Sequence, residues 1–409
     1  MILEKKDKQI ANLILAEKKR QEETINLIAS ENYPSPGVKE ALSSVFVSKY
    51  SEGRPFKRYY GGMENIDKLE TLVEERTRIA FGLDNSWAIN VQPYSGSPAN
   101  YAIYRGLLNL GDKILSLSLD QGGHLTHGSL VSLSGIDFKI IHYNLNRESN
   151  LLDYEEMEKT AFAEKPKIII AGFTAYSREI DFKKISEIAK RTGAYFLADI
   201  SHIAGLVIGG VHQSPFPFAD VVMTTTHKTL RGPRGAIIIC KEELKSKIFP
   251  KVFPGLQGGP HNHTICAIGV ALKEATSSDF KKYSLQIIKN AKALAEELKK
   301  YEFKLISGGT DNHLILIDLT NKNISGKEAQ VNLEKAGIVL NKNTIPYDTR
   351  SPFDPSGIRL GVAAITTRGM KEKEMKKIAF WINDVISNPK SILIIKKEIK
   401  TFCKKFLIW

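Results

Sequence analysis

The segment with the clearest capacity for chemistry is Thr224–Gly235, which reads TTTHKTLRGPRG. It follows a short apolar run that predicts a buried strand, and open α/β sheets bind ligands at the carboxyl ends of their strands. Lys228 at this edge is therefore a candidate amine nucleophile. Attack on an aldehyde needs a partly neutral lysine, so we expect nearby cations to lower its pKa, with Arg231, Arg234 and His227 as candidates. Taken alone, the segment could equally be a basic surface loop.

A carboxylate, Asp199, ends a second predicted buried strand. A buried carboxylate is costly unless it meets a cation. The protonated pyridine nitrogen of pyridoxal phosphate (PLP) is such a cation, and PLP enzymes commonly place an aspartate there. The alternative is a strand-end aspartate that caps the next helix. Because Lys228 follows a nearby strand, we favour the pyridinium role.

A candidate phosphate site lies where Tyr94–Asn100 (YSGSPAN) runs into a predicted helix. Ser95, Gly96 and Ser97 would expose free backbone N–H groups to an anion. Serine before a proline at a helix start is also an ordinary cap. The glycine-rich turn Gly255–Pro260 could likewise approach a phosphate or be a structural bend.

Two imidazoles, His124 and His127, lie on the flexible segment Gly122–Gly128 (GGHLTHG). Their spacing could suit a metal, but no third or fourth ligand lies nearby in the sequence, so we predict no metal site. An imidazole stacked on a flat cofactor ring fits the pattern better.

Two other segments carry isolated charged groups. The aromatic-rich stretch Tyr50–Gly62 contains Glu52, a candidate for proton transfer, although the stretch could simply pack against its own domain. Arg359 lies in a short predicted strand and suits bidentate binding of a carboxylate. A structural ion pair is the alternative for this arginine.

The elements that position these residues alternate between strand and helix. Predicted strands cover Lys167–Ala171, Tyr195–Asp199, Asp220–Met223, Ala236–Cys240, His313–Leu319, Ile338–Leu340 and Ile358–Val362. Predicted helices cover Lys5–Leu27, Asp67–Phe81, Ala99–Leu110, Phe182–Arg191, Lys281–Lys300 and Gly326–Ala336. This alternation predicts an α/β fold with a mostly parallel central sheet. We expect an N-terminal helical arm (1–35), a large domain (36–275) and a smaller C-terminal α/β domain (276–409).

Composition restricts the class of protein. The chain has 409 residues, of which 42% are hydrophobic and 25% charged, an ordinary globular mix. Three scattered cysteines, no long apolar stretch and a charged, helical N-terminus favour a cytoplasmic protein without a disulfide framework, zinc site, membrane helix or signal peptide. The net charge of +13 leaves nucleic-acid binding as an alternative of a different class. Most of the excess lysine is dispersed, however, as on solvated helix faces.

Taken together, the motifs closely resemble the serine hydroxymethyltransferase family from about Leu27 to Met370. They are YSEG at Tyr50, RYYGG at Arg58, SGS at Ser95, GGHLTHG at Gly122, TTTHKTLRGPRG at Thr224, FPGLQGGP at Phe253 and SGIR at Ser356. The resemblance implies a fold-type I PLP enzyme that interconverts serine and glycine, with tetrahydrofolate as the one-carbon acceptor. The main alternative is a threonine or 3-hydroxy-amino-acid aldolase of the same fold.

The resemblance also implies a role for each matching residue. Implied catalytic residues are Lys228, Glu52, His227 and Thr225. Implied PLP ligands are Ser95, Gly96, Ser97, His124, Thr174, Asp199, His202, Lys228, Gly259 and Tyr50. Implied substrate contacts are Ser30, Tyr60, Arg359 and Arg234, and implied folate contacts are Leu119, Leu125 and Asn343. Because the family builds its sites across a dimer interface, we expect a homodimer in which Tyr50, Glu52, Tyr60 and Gly259 serve the partner's cofactor.

The chain departs from the family pattern within Tyr50–Tyr60, where the usual YSEGYPGKRYY has Arg54 and Phe56 instead. Phe56 replaces a glycine, so we expect the backbone there to avoid positive φ. Thr174 stands where serine is usual and keeps a hydroxyl.

Overall fold

The structure, a computed structural model, describes residues 2–408. The α-helices are α1 (Ile2–Lys6), α2 (Lys8–Glu23), α3 (Pro36–Leu42), α4 (Glu64–Phe81), α5 (Gly96–Leu107), α6 (Leu133–Asp137), α7 (Tyr154–Glu164), α8 (Phe182–Thr192), α9 (Ala204–Ile208), α10 (Lys245–Pro250), α11 (Asn262–Ala275), α12 (Ser278–Lys300), α13 (Gly326–Ala336), α14 (Ala363–Thr367), α15 (Glu372–Ser387) and α16 (Ile392–Cys403). The strands are β1 (Ile25–Asn26), β2 (Gly53–Arg54), β3 (Lys57–Arg58), β4 (Trp87–Asn90), β5 (Lys113–Leu117), β6 (Lys139–Tyr143), β7 (Ile168–Ala171), β8 (Tyr195–Asp199), β9 (Val221–Thr225), β10 (Ala236–Lys241), β11 (Lys304–Leu305), β12 (Leu314–Asp318), β13 (Ile338–Val339), β14 (Asn341–Asn343) and β15 (Gly357–Gly361).

A seven-stranded sheet organises the larger part of residues 2–408, in the order β4-β10-β9-β8-β7-β5-β6. Strand β10 runs antiparallel to both of its neighbours, and the five strands from β9 to β6 are parallel. The predicted mostly parallel α/β fold is therefore confirmed. Asp199 in β8 stands opposite Met223 in β9. The segments that follow these two strands consequently leave the same edge of the sheet.

The strands are apolar along both faces because helices cover both sides of the sheet. In β7, Ile169 packs into one core cluster, whereas Ile168 and Ile170 pack into the other. This division follows from the two-residue period of a strand. Burial of each such side chain contributes about 1.5–3 kcal/mol. The sheet is thus a rigid platform for the loops at its edge.

The C-terminal part contains an antiparallel sheet in the order β11-β12-β15-β14. The N-terminal segment joins it, because β1 pairs in parallel with β13 and the Gly361 N–H donates to the Leu27 carbonyl over 2.8 Å. The proposed division into three units at 35/36 and 275/276 stays a prediction, and its outermost residues, Met1 and Trp409, lie outside the described residues.

The expectation for Phe56 is wrong, because its φ is 62°. Phe56 lies in the two-residue turn between β2 and β3, directly after Pro55. Proline holds its own φ near −65°, and in a type II turn, which favours proline at its first central position, the next residue takes positive φ. The Phe56 side chain is 77% exposed, so packing does not explain the conformation.

This β2–β3 hairpin is held onto α4 by buried ion pairs. Arg58 contacts Asp67 and Glu70, each over 2.8 Å, and also donates to the Gly53 carbonyl. Arg54 contacts Glu70 over 3.0 Å and pairs with Glu74. Arg54, the other departure from the family pattern, therefore adds an anchor to the hairpin that follows Glu52.

Candidate active site

A cavity of ≈ 250 Å³ opens at the carboxyl edge of the parallel strands. Residues singled out from the sequence that line it are Ser30, Ser95, Gly96, Ser97, His124, His127, Thr174, Asp199, His202, Thr225, His227, Lys228 and Arg234. They come from the N-terminal segment, the start of α5 and the loops after β5, β7, β8 and β9. The sheet topology therefore brings residues that are far apart in the sequence into one site.

Lys228 follows β9 and is buried, with 8% of its surface exposed. Burial is the main reason that its pKa falls from 10.5 to about 8, and the charges of Arg359 and Arg234 lower it further, whereas Asp199 opposes the shift. The expected effect of Arg234 is thus present. Arg231 instead lies 3.7 Å from Glu274 and contributes nothing comparable.

His227 does not act as the expected cation either. Burial, followed by the charge of Lys228, lowers the His227 pKa to about 3, so its imidazole is neutral at pH 7. Its Nδ1 atom is buried and has no hydrogen-bond partner among the described residues. His227 is therefore a neutral group beside the lysine.

Asp199 is surrounded by hydrogen-bond donors. Its Oδ2 atom lies 2.9 Å from His127 Nε2 and accepts from Asn100 Nδ2 over 3.0 Å, and its Oδ1 atom accepts from the Ser201 N–H over 3.1 Å. Burial alone would raise the pKa of Asp199, but the contact with His127 and the charge of Lys228 hold it below its usual range. The cavity thus contains an ionised carboxylate.

Asn100 and His127 were not recognised from the sequence as partners of Asp199. Asn100 could have been found, because it lies three residues after Ser97 on α5 and so shares a helix face with the candidate phosphate ligands. His127 stands out in the sequence only as one of two imidazoles in its segment, and no local signal links it to Asp199.

The His124 ring is fixed by its own loop. Its Nδ1 atom accepts from the Thr126 N–H over 3.1 Å and lies 2.7 Å from the Thr126 hydroxyl. Since Nδ1 accepts, the ring proton is on Nε2. Burial lowers the His124 pKa to about 4, so the ring is neutral. A flat, uncharged imidazole at the cavity wall is suited to stacking.

The first turn of α5 can receive an anion. Ser95 occupies the N-cap position, but its side chain makes no capping hydrogen bond. A Cβ atom added to Gly96 would lie 2.8 Å from Thr225 Cγ2, so only glycine fits between the helix start and β9. The free N–H groups of this turn and two serine hydroxyls therefore border the cavity.

Arg359 in β15 is buried without an acidic partner. Its guanidinium donates to Asn341 Oδ1 over 3.0 Å and to the Thr174 carbonyl over 2.7 Å. Within residues 2–408 no carboxylate forms an ion pair with it, which contradicts the structural ion-pair alternative. Burial lowers its pKa to about 10, so it is still a cation at pH 7. An incoming carboxylate would complete its pairing.

Several polar atoms of the cavity wall lack hydrogen-bond partners within the described chain. These buried atoms are Asn100 Oδ1, Thr174 Oγ1, Thr225 Oγ1 and His227 Nδ1. Unsatisfied buried polar atoms cost about 1–3 kcal/mol each. Their concentration here indicates a ligand with several hydrogen-bonding groups. No cluster of three or more metal-binding side chains exists anywhere in 2–408.

Four predicted site residues lie in a separate surface cluster, outside the cavity of the same chain. The Tyr50 hydroxyl donates to Glu52 Oε1 over 3.1 Å, and the Tyr60 hydroxyl donates to Glu52 Oε2 over 3.4 Å. The Tyr50 ring packs against Gly259, where an added Cβ atom would lie 3.0 Å from Tyr50 Cζ. Tyr50 and Tyr60 are 53% and 47% exposed. This Glu52 cluster is therefore assembled but open to its surroundings.

The three expected folate contacts also lie outside the cavity lining. Leu119 and Leu125 are 44% and 46% exposed in the segment after β5. Leu125 borders a second, mainly apolar cavity next to the first. Asn343 ends β14, and its side-chain amide donates to the Thr344 carbonyl over 2.7 Å.

Comparison with known proteins agrees with this arrangement. The sequence profile of the family described as "Serine hydroxymethyltransferase" matches residues 3–382. A curated protein named "Serine hydroxymethyltransferase" from Desulfotalea psychrophila is 53% identical over 407 residues, which are 99% of this chain and 95% of the relative. The described part of the chain contains no helix with the length and apolar character needed to span a membrane. The chain belongs to the serine hydroxymethyltransferase family.

Proposed function

We propose that this chain transfers the hydroxymethyl group of serine reversibly to tetrahydrofolate, giving glycine and 5,10-methylenetetrahydrofolate, with PLP as cofactor. The observation that carries the proposal is a cavity lined by Asp199 and by Lys228, whose pKa is lowered, with the buried guanidinium of Arg359 near enough to lower that pKa further. A reactive amine, an anion and a cation are thus held together in one buried site.

The residues present fit PLP. Lys228 would hold it covalently, Asp199 would pair with its pyridine nitrogen, and His124 would stack on its ring. Ser95, Gly96 and Ser97 would bind its phosphate, and Thr174 and His202 are further ligands at the wall. The unpartnered hydroxyls of Thr174 and Thr225 provide polar groups that such a ligand would satisfy. When bound, PLP supplies an electron sink for cleavage of the Cα–Cβ bond of serine.

The chain's own residues orient the substrate. Arg359 would bind the serine carboxylate with Ser30, and Arg234 adds positive charge at the cavity wall. A fixed carboxylate sets the rotation about the Cα atom, so the bond to be broken can be held at a productive angle. We assign proton transfer to Glu52, and place Thr225 and His227 beside the amine of Lys228.

We also propose a homodimer in which the Glu52 cluster completes the partner's site. Two facts support it: the cluster does not line the cavity of its own chain, and apolar side chains are exposed around it and on the N-terminal helix. These exposed side chains are Ile10, Leu13, Ile14, Val45, Val47, Tyr50, Phe56, Tyr59 and Tyr60. An exposed apolar surface of this kind marks an interface, and a two-fold axis would place each cluster symmetrically.

Subunit mixing tests this arrangement. Lys228→Ala and Glu52→Gln variants, each inactive alone, are unfolded together and refolded as a 1:1 mixture. If Glu52 acts on the partner's cavity, about one quarter of the sites regain both groups and activity returns to that level. Mixing that restores no activity, although mixed dimers form, contradicts the shared site.

The visible absorbance spectrum tests the function itself. PLP-loaded protein should be yellow, and glycine and tetrahydrofolate together should produce a strong band at longer wavelength that neither gives alone. A yellow protein that is indifferent to folate would instead indicate the aldolase alternative. A protein that stays colourless with added PLP would exclude the role of Lys228.

We further propose a cytoplasmic location. Support comes from the three cysteines, Cys240, Cys266 and Cys403, none of which forms a disulfide. Unpaired cysteines are typical of a reducing compartment. We propose Leu119, Leu125 and Asn343 as the folate contacts. Substitution of Leu125 by alanine should raise the KM for folate without changing PLP binding.

A further inference from the structure

A second histidine lies behind the cavity-lining His202. His202 Nδ1 is 3.2 Å from His313 Nε2, and the two rings meet edge to edge, with an interplanar angle of 27° and centroids 5.3 Å apart. His313 is fully buried, and its Nε2 atom is also 3.2 Å from the Ala29 carbonyl oxygen. A single nitrogen of His313 therefore faces both the backbone of the N-terminal segment and the ring of His202.

These contacts decide where the protons are. A carbonyl oxygen can only accept, so His313 Nε2 must carry a hydrogen, and the Ala29 carbonyl and His202 Nδ1 share it as acceptors at equal distance. His202 Nδ1 faces the same N–H, and two hydrogens cannot occupy that 3.2 Å gap. Nδ1 of His202 is therefore an acceptor, and the single proton of its neutral ring is on Nε2, at the opposite edge.

Both rings are neutral. Burial, followed by the charge of Lys228, holds the pKa of His202 well below its usual value. Burial lowers the His313 pKa to about 3, with the charges of Arg359 and Lys228 acting in the same direction. A neutral imidazole carries a hydrogen on only one of its two nitrogens, so its neighbours can select which one. An imidazolium would carry hydrogens on both nitrogens.

We propose that His313 is a positioning residue that fixes His202 in the tautomer with its proton on Nε2, so that His202 presents a neutral N–H donor to an oxygen atom of the bound ligand. Identification of that ligand as PLP or the amino acid rests on the proposed function. The other tautomer would direct a lone pair at the same oxygen and replace attraction with repulsion. His313 itself touches no ligand and acts through His202.

Nitrogen-15 NMR of histidine-labelled protein without cofactor tests the proton assignment directly. We expect His202 to be protonated at Nε2, and a coupling across the hydrogen bond between His313 Nε2 and His202 Nδ1. Assignment uses a His202→Asn variant. A His202 proton on Nδ1, or no coupling to His313, would overturn the proposal. This readout needs neither PLP nor catalysis, so it is independent of whether the proposed function holds.

Variants of His313 then test the consequence. His313→Gln keeps an N–H near the position of Nε2, whereas His313→Phe removes it and keeps the ring. We expect His313→Phe to weaken PLP binding about tenfold, the value of one hydrogen bond to a charged group, and His313→Gln to retain most of the affinity. His142→Gln, an exposed histidine that also contacts a backbone carbonyl, is the matched control. Equal affinity of His313→Phe and wild type, with both folded by circular dichroism, would refute the role. Absence of PLP binding in the wild type would refute the proposed function instead.

Discussion

The lowered pKa of Lys228 predicts how attachment of PLP to the cofactor-free protein depends on pH. Only the neutral amine attacks the aldehyde, and burial lowers the Lys228 pKa from 10.5 to about 8. At pH 7.5 about a quarter of a group with that pKa is neutral, against about 0.1% of an ordinary lysine. The cavity should therefore accelerate attachment by roughly 200-fold at this pH through the pKa alone.

The assay is stopped-flow absorbance after mixing cofactor-free protein with PLP between pH 6 and 11. The rate constant should rise tenfold per pH unit and level off near pH 8. Lys228→Ala measures attachment to surface lysines, which is subtracted. A profile that continues to rise to pH 10 or above would refute the reasoning, because the amine would then behave as if it were in water.

Two charge variants sharpen the test, since they should move the profile in opposite directions. Arg359 lowers the Lys228 pKa, so Arg359→Gln should shift the midpoint to higher pH. Asp199 raises it, so Asp199→Asn should shift the midpoint to lower pH. Shifts in the same direction would show that altered folding, rather than charge, controls the rate.

Three further predictions concern stability and cofactor affinity. Phe56→Gly should be about 0.5–1 kcal/mol more stable than Phe56→Ala in urea unfolding, because only glycine adopts positive φ without strain, and equal stability would mean that the turn relaxes. Arg58→Met should lower the free energy of unfolding by about 3 kcal/mol because it leaves buried carboxylates unpaired, whereas Arg54→Met should lower it by only about 1 kcal/mol because that side chain is 27% exposed. The same urea titrations measure both values, and equal losses would contradict the argument. Gly96→Ala should weaken PLP binding through the clash with Thr225 Cγ2, and Thr225→Ser in the same chain, which removes that methyl group, should restore much of the affinity measured by fluorescence titration.

Elements defined by local pattern were predictable from the sequence. Strand Tyr195–Asp199 and helix Gly326–Ala336 have the bounds expected from their apolar periodicity and end signals. Helix α5 begins at Gly96 rather than at the predicted Ala99, because the serine and proline of its first turn are themselves helical. The predicted helix Lys5–Leu27 was wrong at its end, because α2 stops at Glu23 and Ile25–Asn26 form strand β1. The parallel sheet followed from the alternation of the elements.

The prediction for Phe56 was wrong because it considered only the preference of a phenylalanine for negative φ and not the turn that Pro55 favours. Pro55 fixes the first position of a two-residue turn, and the hairpin's ion pairs fix its two strands. They favour a type II turn, in which the next residue has positive φ even though its side chain is not that of glycine. The proline was visible in the sequence, but the hairpin pairing around it was not.

The long-range partners of Asp199 and Lys228 were not predicted. The side chains of Asn100 and His127, which form hydrogen bonds with Asp199, are 99 and 72 residues away from it in the sequence. The cation that most affects Lys228 is Arg359 from the C-terminal sheet, and not the nearby Arg231. Proximity in the sequence is a poor guide to electrostatics when topology decides which charges meet.

The pairing of β1 with β13 also has a consequence for biosynthesis. Ser30 borders the cavity from a segment whose neighbouring contacts include residues near the far end of the chain. Ala29 contacts His313, 284 residues later, and a Cβ atom on Gly361 would lie 2.3 Å from Ala29 Cα. At 5–20 residues per second, a ribosome needs roughly 15–60 s to produce those partners. The central sheet can form during that interval, whereas this wall of the pocket cannot. A nascent chain therefore acquires its complete cofactor site only when translation is nearly finished.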